Sequence, residues 1–592
     1  MTDLTRRVFA ATLPASAVAA GVLAAAGGTH AAATPEQSFR AIYETEWAWR
    51  EAEYPDEEDP AKPIPSKLPD ESEPAQARRL SYWRDVRARL GAIDPSTLGT
   101  MDRVSYAVYL AQIDALITSQ VWRDWEKPFN SDSAFWSDLT GVARRTFHTE
   151  ADYRNYIARL NDYPRYFADQ IVNMREGLSR GFTPPKVTLR GRDLAVASVA
   201  EAASPEATVY DKPFKETPAS FPAALVAELC AQGRAAIAKA VVPAHQALLK
   251  FLREDYFPGA REALGVGSMP NGGAYYQSKI LEFTTLDWPP DRIHALGLAE
   301  MAKIRGEMQA VLAEVKFQGD LAAFLADLRS NPRFYVRTPQ ALLDRAAWIA
   351  KTFDGKAGDW FGRLPRRRFA IMPAPDDIAP FYTAGRGGPG VYIVNTYDLP
   401  SRPLYALTAL TLHESAPGHA FQMPLAAENT TLPAFRRESY ISAYGEGWAL
   451  YCERLGVEMG MYNTPYDRFG MLSYQAWRAA RLVVDTGLHA RGWTRERSIA
   501  YLADNTALPA HEIETEVDRY ISWPGQALAY YLGMMAIQAA RKKAEVALGA
   551  KFDIRHFHDA VLEMGCVPLP VLGARIDRFI AEGGASPYPL EG

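Results

Sequence analysis

From Arg78 to Trp122, apolar side chains fall at three- and four-residue steps, as at Tyr106, Leu110, Ile113, Leu116 and Ile117. That spacing lines one face of an α-helix, so it predicts a long helical stretch over Arg78–Trp122. Helical character also marks Pro35–Glu51, Thr149–Arg180, Pro290–Val315, Leu321–Arg329 and Pro339–Asp354, and it predicts a helical pair over Phe221–Phe257. Glu51–Pro74 sets prolines among carboxylates and reads as a solvated loop. Two short runs, Arg367–Met372 and Gly390–Asn395, are bounded by glycine and proline and predict a small β patch. Gly265–Gly273 bears the glycines and proline of a turn. It sets a lobe boundary that leaves a helical N-terminal lobe over 34–262 and a helical C-terminal lobe over 263–592. No internal repeat is visible.

Residues 1–33 stand apart. A short start containing Arg6 and Arg7 leads into an Ala/Val/Leu run and ends on small residues at Ala31-Ala32-Ala33. This is the order of an export signal, and Pro14 and Ser16 break the apolar run too early for a membrane span. Thr5-Arg6-Arg7-Val8-Phe9 resembles a twin-arginine signal, with Ala10-Ala11 where leucine and lysine are usual; a general secretory signal is the other reading. Cleavage after Ala31 or Ala33 is expected to leave a periplasmic or otherwise extracytoplasmic protein with no stable membrane insertion.

The chain carries a net charge of −5. The leader contributes Arg6, Arg7 and Asp3, so the remainder is near −6. A mildly acidic chain lacks the basic footprint of a nucleic-acid binder. Cys230, Cys452 and Cys566 form no C-x-x-C and no disulfide framework, which points away from thiolate zinc. No G-x-S-x-G elbow of a serine hydrolase occurs.

The chemistry gathers in His413-Glu414-Ser415-Ala416-Pro417-Gly418-His419. A His-Glu pair with a second histidine close behind is similar to the H-E-x-x-H zinc helix. There the histidines are four residues apart and share a face; here they are six apart. Six residues of unbroken helix turn about 600°, a net of about 240°, and would point the rings apart. Pro417 gives no N–H to the preceding turn and Gly418 is conformationally free. A kink there could re-aim His419 toward His413; alternatively the helix ends at Pro417 and the histidines are unrelated.

Downstream, Glu446 sits between Gly445 and Gly447 amid Tyr444, Trp448 and Tyr451. A carboxylate in such surroundings needs a partner, and a metal is an efficient one. Mononuclear zinc hydrolases commonly use two histidines and a carboxylate and leave one position open. Glu453 lies two turns on, as a supporting group or a partner of Arg454 or Arg478. Arg478, Arg481, Asp485 and His489 follow at three- and four-residue steps and share a helix face. His148, His245, His294, His511, His556 and His558 read as structural or exposed.

HESAPGHAFQ, YGEGWALYCERLG and RYISWPGQALAYYLG, with PNGGAYYQ, TTLDWPPDRIHALGL, GVYIVNTYD and VVDTGLHARGWTRERSIAYL, resemble the bacterial domain-of-unknown-function 885 family. That family is similar to the helical gluzincin peptidases, such as thimet oligopeptidase and angiotensin-converting enzyme. The resemblance implies a mainly α, two-lobed metallopeptidase-like fold with a deep cleft. It implies zinc ligands at His413, His419 and Glu446 and a general base at Glu414. Ala420 departs from the pattern, since many members have a further histidine there.

The resulting expectation is an exported hydrolase with one zinc per chain, cleaving short peptides by attack of zinc-bound water with Glu414 as general base. His489, Tyr520 and Tyr530 are the candidate donors to an oxyanion. Arg481, Tyr275 and Tyr276 are the candidate contacts to a peptide or small amide substrate. Two alternatives stand beside it: the same site acting on a non-peptide amide or ester, and a catalytically inactive helical binding protein that keeps the fold.

Overall fold

Thr464 opens the helix Pro465–Arg491 with a capping box, its hydroxyl accepting from Asp467 N while the Asp467 carboxylate accepts from Thr464 N. Gly492, at φ 64°, closes it in the left-handed conformation that glycine adopts without strain. Every residue from Phe469 to His489 is buried. A helix buried on all sides is a core element, and Pro290–Glu314, Leu404–Glu414, Arg495–Asn505 and Leu528–Leu548 pack against it. The description is of a computed structural model and covers residues 33–55, 62–376 and 379–588. The export signal expected over residues 1–33 therefore lies outside the described residues, apart from Ala33.

The fold is mainly α, and the chain divides into two units. The first runs to Phe129 and adds Ser133–Thr183 and Leu189–Ala260. Its core is strongly aromatic, with Tyr163, Phe167, Tyr210 and the buried His245 in mutual ring contact. The long stretch expected over Arg78–Trp122 is two helices, Glu73–Gly91 and Thr100–Trp122. They part where the Asp94 carboxylate accepts from Ser96 N and holds Pro95 in a tight turn. Conversely, the pair expected over Phe221–Phe257 is one continuous helical path from Ala223 to Gly259, widened twice into π-turns at Ile237–Val241 and Leu252–Tyr256. Pro243 and Pro258 each follow a widened turn. A π-turn absorbs the ring and the missing N–H that would break a regular α-turn.

The second unit comprises Asn130–Asp132, Pro184–Thr188 and the chain from Arg261. Pro290–Glu314 lies along the central helix, where Gly297 leaves room for Leu482 and Val483. Leu404–Glu414 crosses the same helix at Gly470, where an added Cβ would stand 1.9 Å from the Tyr405 carbonyl oxygen. Ser442–Glu458 packs on Leu528–Leu548 through Gly447 and Gly533, and a Cβ on Gly533 would stand 1.9 Å from Ala443 O. Glycine at these crossings lets backbones approach more closely than side chains permit.

The β patch is a sheet of three strands in the order β1-β3-β2. β1 (Ala370–Pro373) runs parallel to β3 (Val391–Val394), and β2 (Gly385–Gly388) runs antiparallel on its other side. β2 was not visible in the sequence, because Gly385-Arg386-Gly387-Gly388 has no alternation of apolar and polar side chains. No helix among the described residues is long and apolar enough to cross a membrane.

Candidate metal centre

The helix Leu404–Glu414 delivers His413 and Glu414 from its last turn and stops there. Ser415–Gly418 form a turn, with a cis peptide bond between Ala416 and Pro417, and a new helix begins at His419. The chain therefore breaks fully where a kink was expected. Gly418 has an ordinary negative φ of −74°, so left-handed freedom is not its contribution. What it supplies is room: a Cβ there would lie 1.8 Å from the His413 carbonyl oxygen and 2.6 Å from that of Leu412. The buried Trp448 pins the turn by donating Nε1–H to the Pro417 carbonyl at 2.8 Å.

The break turns both rings to one point. His413 Nε2 and His419 Nε2 each lie 3.4 Å from the same Glu446 oxygen, Oε2. The two rings are 4.9 Å apart at 85°. One ligand atom from each of the three residues lies within 4.8 Å of the others. Gly445 and Gly447 make Glu446's approach practicable, since a Cβ on either would strike Tyr440 or the Gly533 backbone.

The surroundings fix the roles of the nitrogens. Glu453 is on the Glu446 helix, seven residues later, and accepts from His413 Nδ1–H at 2.7 Å. In the neutral imidazole that a metal requires, this bond leaves the lone pair on Nε2, on Glu446's side. Burial opposes a charge on His413, but bonds to Glu446 and Glu453 outweigh it and push its pKa up to about 10. Burial likewise opposes the Glu446 carboxylate, yet His419 and His413 hold it well below the usual carboxylate range. His419 Nδ1 is buried and makes no hydrogen bond. Two phenols flank the group. Tyr440 donates to Glu446 Oε1 at 2.8 Å, and the Tyr530 ring lies 6.5 Å from that of His413 and within 15° of parallel.

Glu414 turns toward β2, where its Oε2 accepts from Gly387 N at 2.6 Å. Gly387 is glycine for a reason, since a Cβ would stand 1.7 Å from the Glu414 carbonyl oxygen. The general-base candidate is thus positioned by a strand that the sequence did not reveal.

Other nominated residues are placed elsewhere in this unit. His489 takes the Val266 N–H on Nδ1 at 3.2 Å and gives Nε2–H to the Tyr520 carbonyl at 2.9 Å, so both nitrogens serve the backbone and neither is left to donate to an oxyanion. Tyr520 receives Trp477 Nε1–H and Arg481 Nε–H on its hydroxyl. Arg481 is buried, paired with Glu516 at 2.7 Å and held between the faces of Trp477 and Tyr530. Tyr276 is buried and donates to the buried Asp485 at 2.5 Å. Tyr275 is buried beneath the Lys279 ammonium. Of the proposed donors only Tyr530 stands at the triad. Tyr440 was missed, as it lies in a loop six residues before Glu446 with no pattern to mark it.

The profile of a family described as "Bacterial protein of unknown function (DUF885)" matches residues 59–576. Among solved structures, a protein of Colwellia psychrerythraea provisionally described as a lipoprotein is 27% identical, with a TM-score of 0.84 over 93% of this chain and 100% of that one. A protein of Shewanella oneidensis, provisionally described as a lipoprotein of unknown function, is 18% identical with a TM-score of 0.68, over 92% of this chain and 99% of that one, and shares the fold. No curated protein matches the chain.

Proposed function

The chain belongs to the bacterial DUF885 family, and for this member we propose a zinc-dependent hydrolase of short peptides whose metal is held by His413, His419 and Glu446. One observation carries the reading: two buried imidazole nitrogens converge at 3.4 Å on one carboxylate oxygen, and the far nitrogen of His413 is bonded to a second carboxylate. Ligands each about 2.1 Å from a tetrahedral zinc stand about 3.4 Å apart. Two histidines and one carboxylate also leave a fourth position open, as catalytic zinc requires. The Glu453–His413 contact is the carboxylate–histidine support that such ligands commonly have.

Zinc bound there would polarise a carbonyl and make water a stronger nucleophile near neutral pH. The chain's own groups would do the rest. Glu414, next in sequence to a ligand and steadied by Gly387 N, would take the proton of the attacking water. Tyr530, beside His413, would donate to the oxygen on which negative charge develops. Tyr440 would hold Glu446 in place through Oε1. An extracytoplasmic location is supported by the leader-like pattern of residues 1–33 and by the provisional description of the Colwellia protein as a lipoprotein.

The test is metal content together with cleavage of a mixed peptide library. Purified full-length protein should carry one zinc per chain and cleave short peptides, and a chelator should stop it until zinc is restored. A chain that takes up no transition metal after reconstitution, or that cleaves equally well with chelator present, overturns the proposal.

A further inference from the structure

Behind Tyr530 lies a group of charges that the hydrolytic reading does not use. Arg478 and Arg481 come from the central helix, and Arg519, Glu512 and Glu516 from the helix Ala510–Ser522. Glu516 serves two arginines at once. Its Oε2 accepts from Arg481 Nη2 at 2.7 Å and its Oε1 from Arg519 Nη1 at 3.3 Å. Arg478 has Glu453 at 3.7 Å, but that carboxylate is already bonded to His413. Three guanidiniums thus share two carboxylates, one of them committed to the candidate metal centre.

Their hydrogen-bonding capacity is unfilled. Arg481 Nη1 and Arg478 Nε are buried and have no partner, on side chains only 2% and 4% exposed. Leaving a charged donor unpaired in the interior is costly. The other carboxyls nearby compensate only in part. Burial, with repulsion from Glu516, pushes Glu512 up to about 7. Burial also pushes Asp485 up to about 7, and its oxygens are occupied by Tyr276 and Gly525 N. Asp132 accepts from Trp523 Nε1 and acts on Arg519 by charge alone.

Arg519 opens this cluster to the outside and to the triad. Its side chain is 24% exposed. Its Nη2 donates to Gln526 Oε1 at 3.0 Å and to Tyr530 OH at 3.3 Å, and the Tyr530 ring stands beside His413. A ligand meeting both the phenol and the guanidinium would lie next to the three candidate metal ligands. A guanidinium fork matches a carboxylate in shape and charge better than any other protein cation.

We propose that Arg519, backed by Arg481 and Arg478, recognises a carboxylate of the substrate, a peptide C-terminus or an acidic side chain, and holds it beside Tyr530 and the metal triad. This rests on the hydrolytic reading above and narrows its substrates to acidic or free-ended short peptides.

The test uses the full-length Glu414→Gln chain loaded with zinc, which should bind without turnover, and titration calorimetry. Two pairs of ligands separate the two sources of a carboxylate. One is acetyl-trialanine with a free or an amidated C-terminus; the other is acetyl-Ala-Glu-Ala-amide against acetyl-Ala-Gln-Ala-amide. The acid of one pair should bind about ten- to hundredfold more tightly, the factor expected of one charge-assisted contact. Which pair shows the preference identifies the source. Arg519→Gln added to that chain should erase the preference, and Arg519→Met gives the same reading if the glutamine variant does not fold. Equal binding of acid and amide in both pairs overturns the assignment, as does a preference that survives loss of Arg519. Absence of hydrolysis by the wild-type chain, with the acid preference intact, would instead overturn the hydrolytic reading alone.

Discussion

Glu453 Oε1 lies 2.7 Å from His413 Nδ1, and both groups are buried. A carboxylate there fixes the ring's tautomer and raises the basicity of the opposite nitrogen. Replacing Glu453 by Gln keeps the size and one acceptor but removes the charge. We expect Glu453→Gln to fold and to weaken zinc binding about 10- to 100-fold, the usual cost of losing such a support. Competition against a chromophoric chelator measures this. Unchanged affinity would show that Glu453 serves only Arg478.

Glu414→Gln should retain zinc, because Glu414 is not among the three converging candidate ligands. It should lower turnover by roughly two to four orders of magnitude, the range for loss of a general base. Metal analysis and peptide hydrolysis on one preparation give both numbers. A variant that cleaves at the wild-type rate would remove Glu414 from the mechanism.

Gly418→Ala tests the turn. The added methyl would stand 1.8 Å from His413 O, so the backbone between the histidines must move. Overpacking of this kind typically costs about 1–3 kcal/mol. A lowered melting temperature and weakened zinc binding should appear together. A variant that melts lower but binds zinc as tightly as wild type would separate the turn from the ligand geometry.

Asp485 gives a pH signature. Burial raises its folded pKa to about 7, despite opposing hydrogen bonds from Tyr276 and Gly525 N. An unfolded aspartate titrates near 3.9. Between those values the folded chain binds the proton and the unfolded chain does not, so this residue's contribution to stability falls as pH rises, by about 1.4 kcal/mol per pH unit. Denaturant unfolding at pH 5 and pH 8 should therefore show a smaller decline for Asp485→Asn than for wild type. Equal declines would mean that Asp485 is ionised throughout.

The helical class was readable in the sequence because apolar spacing records which face is buried. Helix ends were less so. Pro95 and Pro164 divide stretches that read as single helices, while Pro243 and Pro258 sit in a path that stays helical by widening. Proline alone does not say which will happen, since that depends on whether the neighbouring packing tolerates a π-turn. At the site, His413, Glu414, His419 and Glu446 could be named because unusual residue types in close spacing leave a mark. Tyr440, Gly387 and Arg519 left none, because their partners are fixed by packing between elements distant in sequence. The partners of His489 and Tyr276 could not be read for the same reason: a polar residue on a buried face looks alike whether it serves a ligand, the backbone or a buried carboxyl.

Glu446 and Glu453 stand two turns apart on one helix, and each addresses a different nitrogen of His413. The imidazole is thereby a peg between two rungs about 10 Å apart along the axis. A slip of that helix by a single residue would swing both carboxylates away together. The third candidate ligand and the support of the first are consequently set by the register of one helix, while His413 and His419 come from two others.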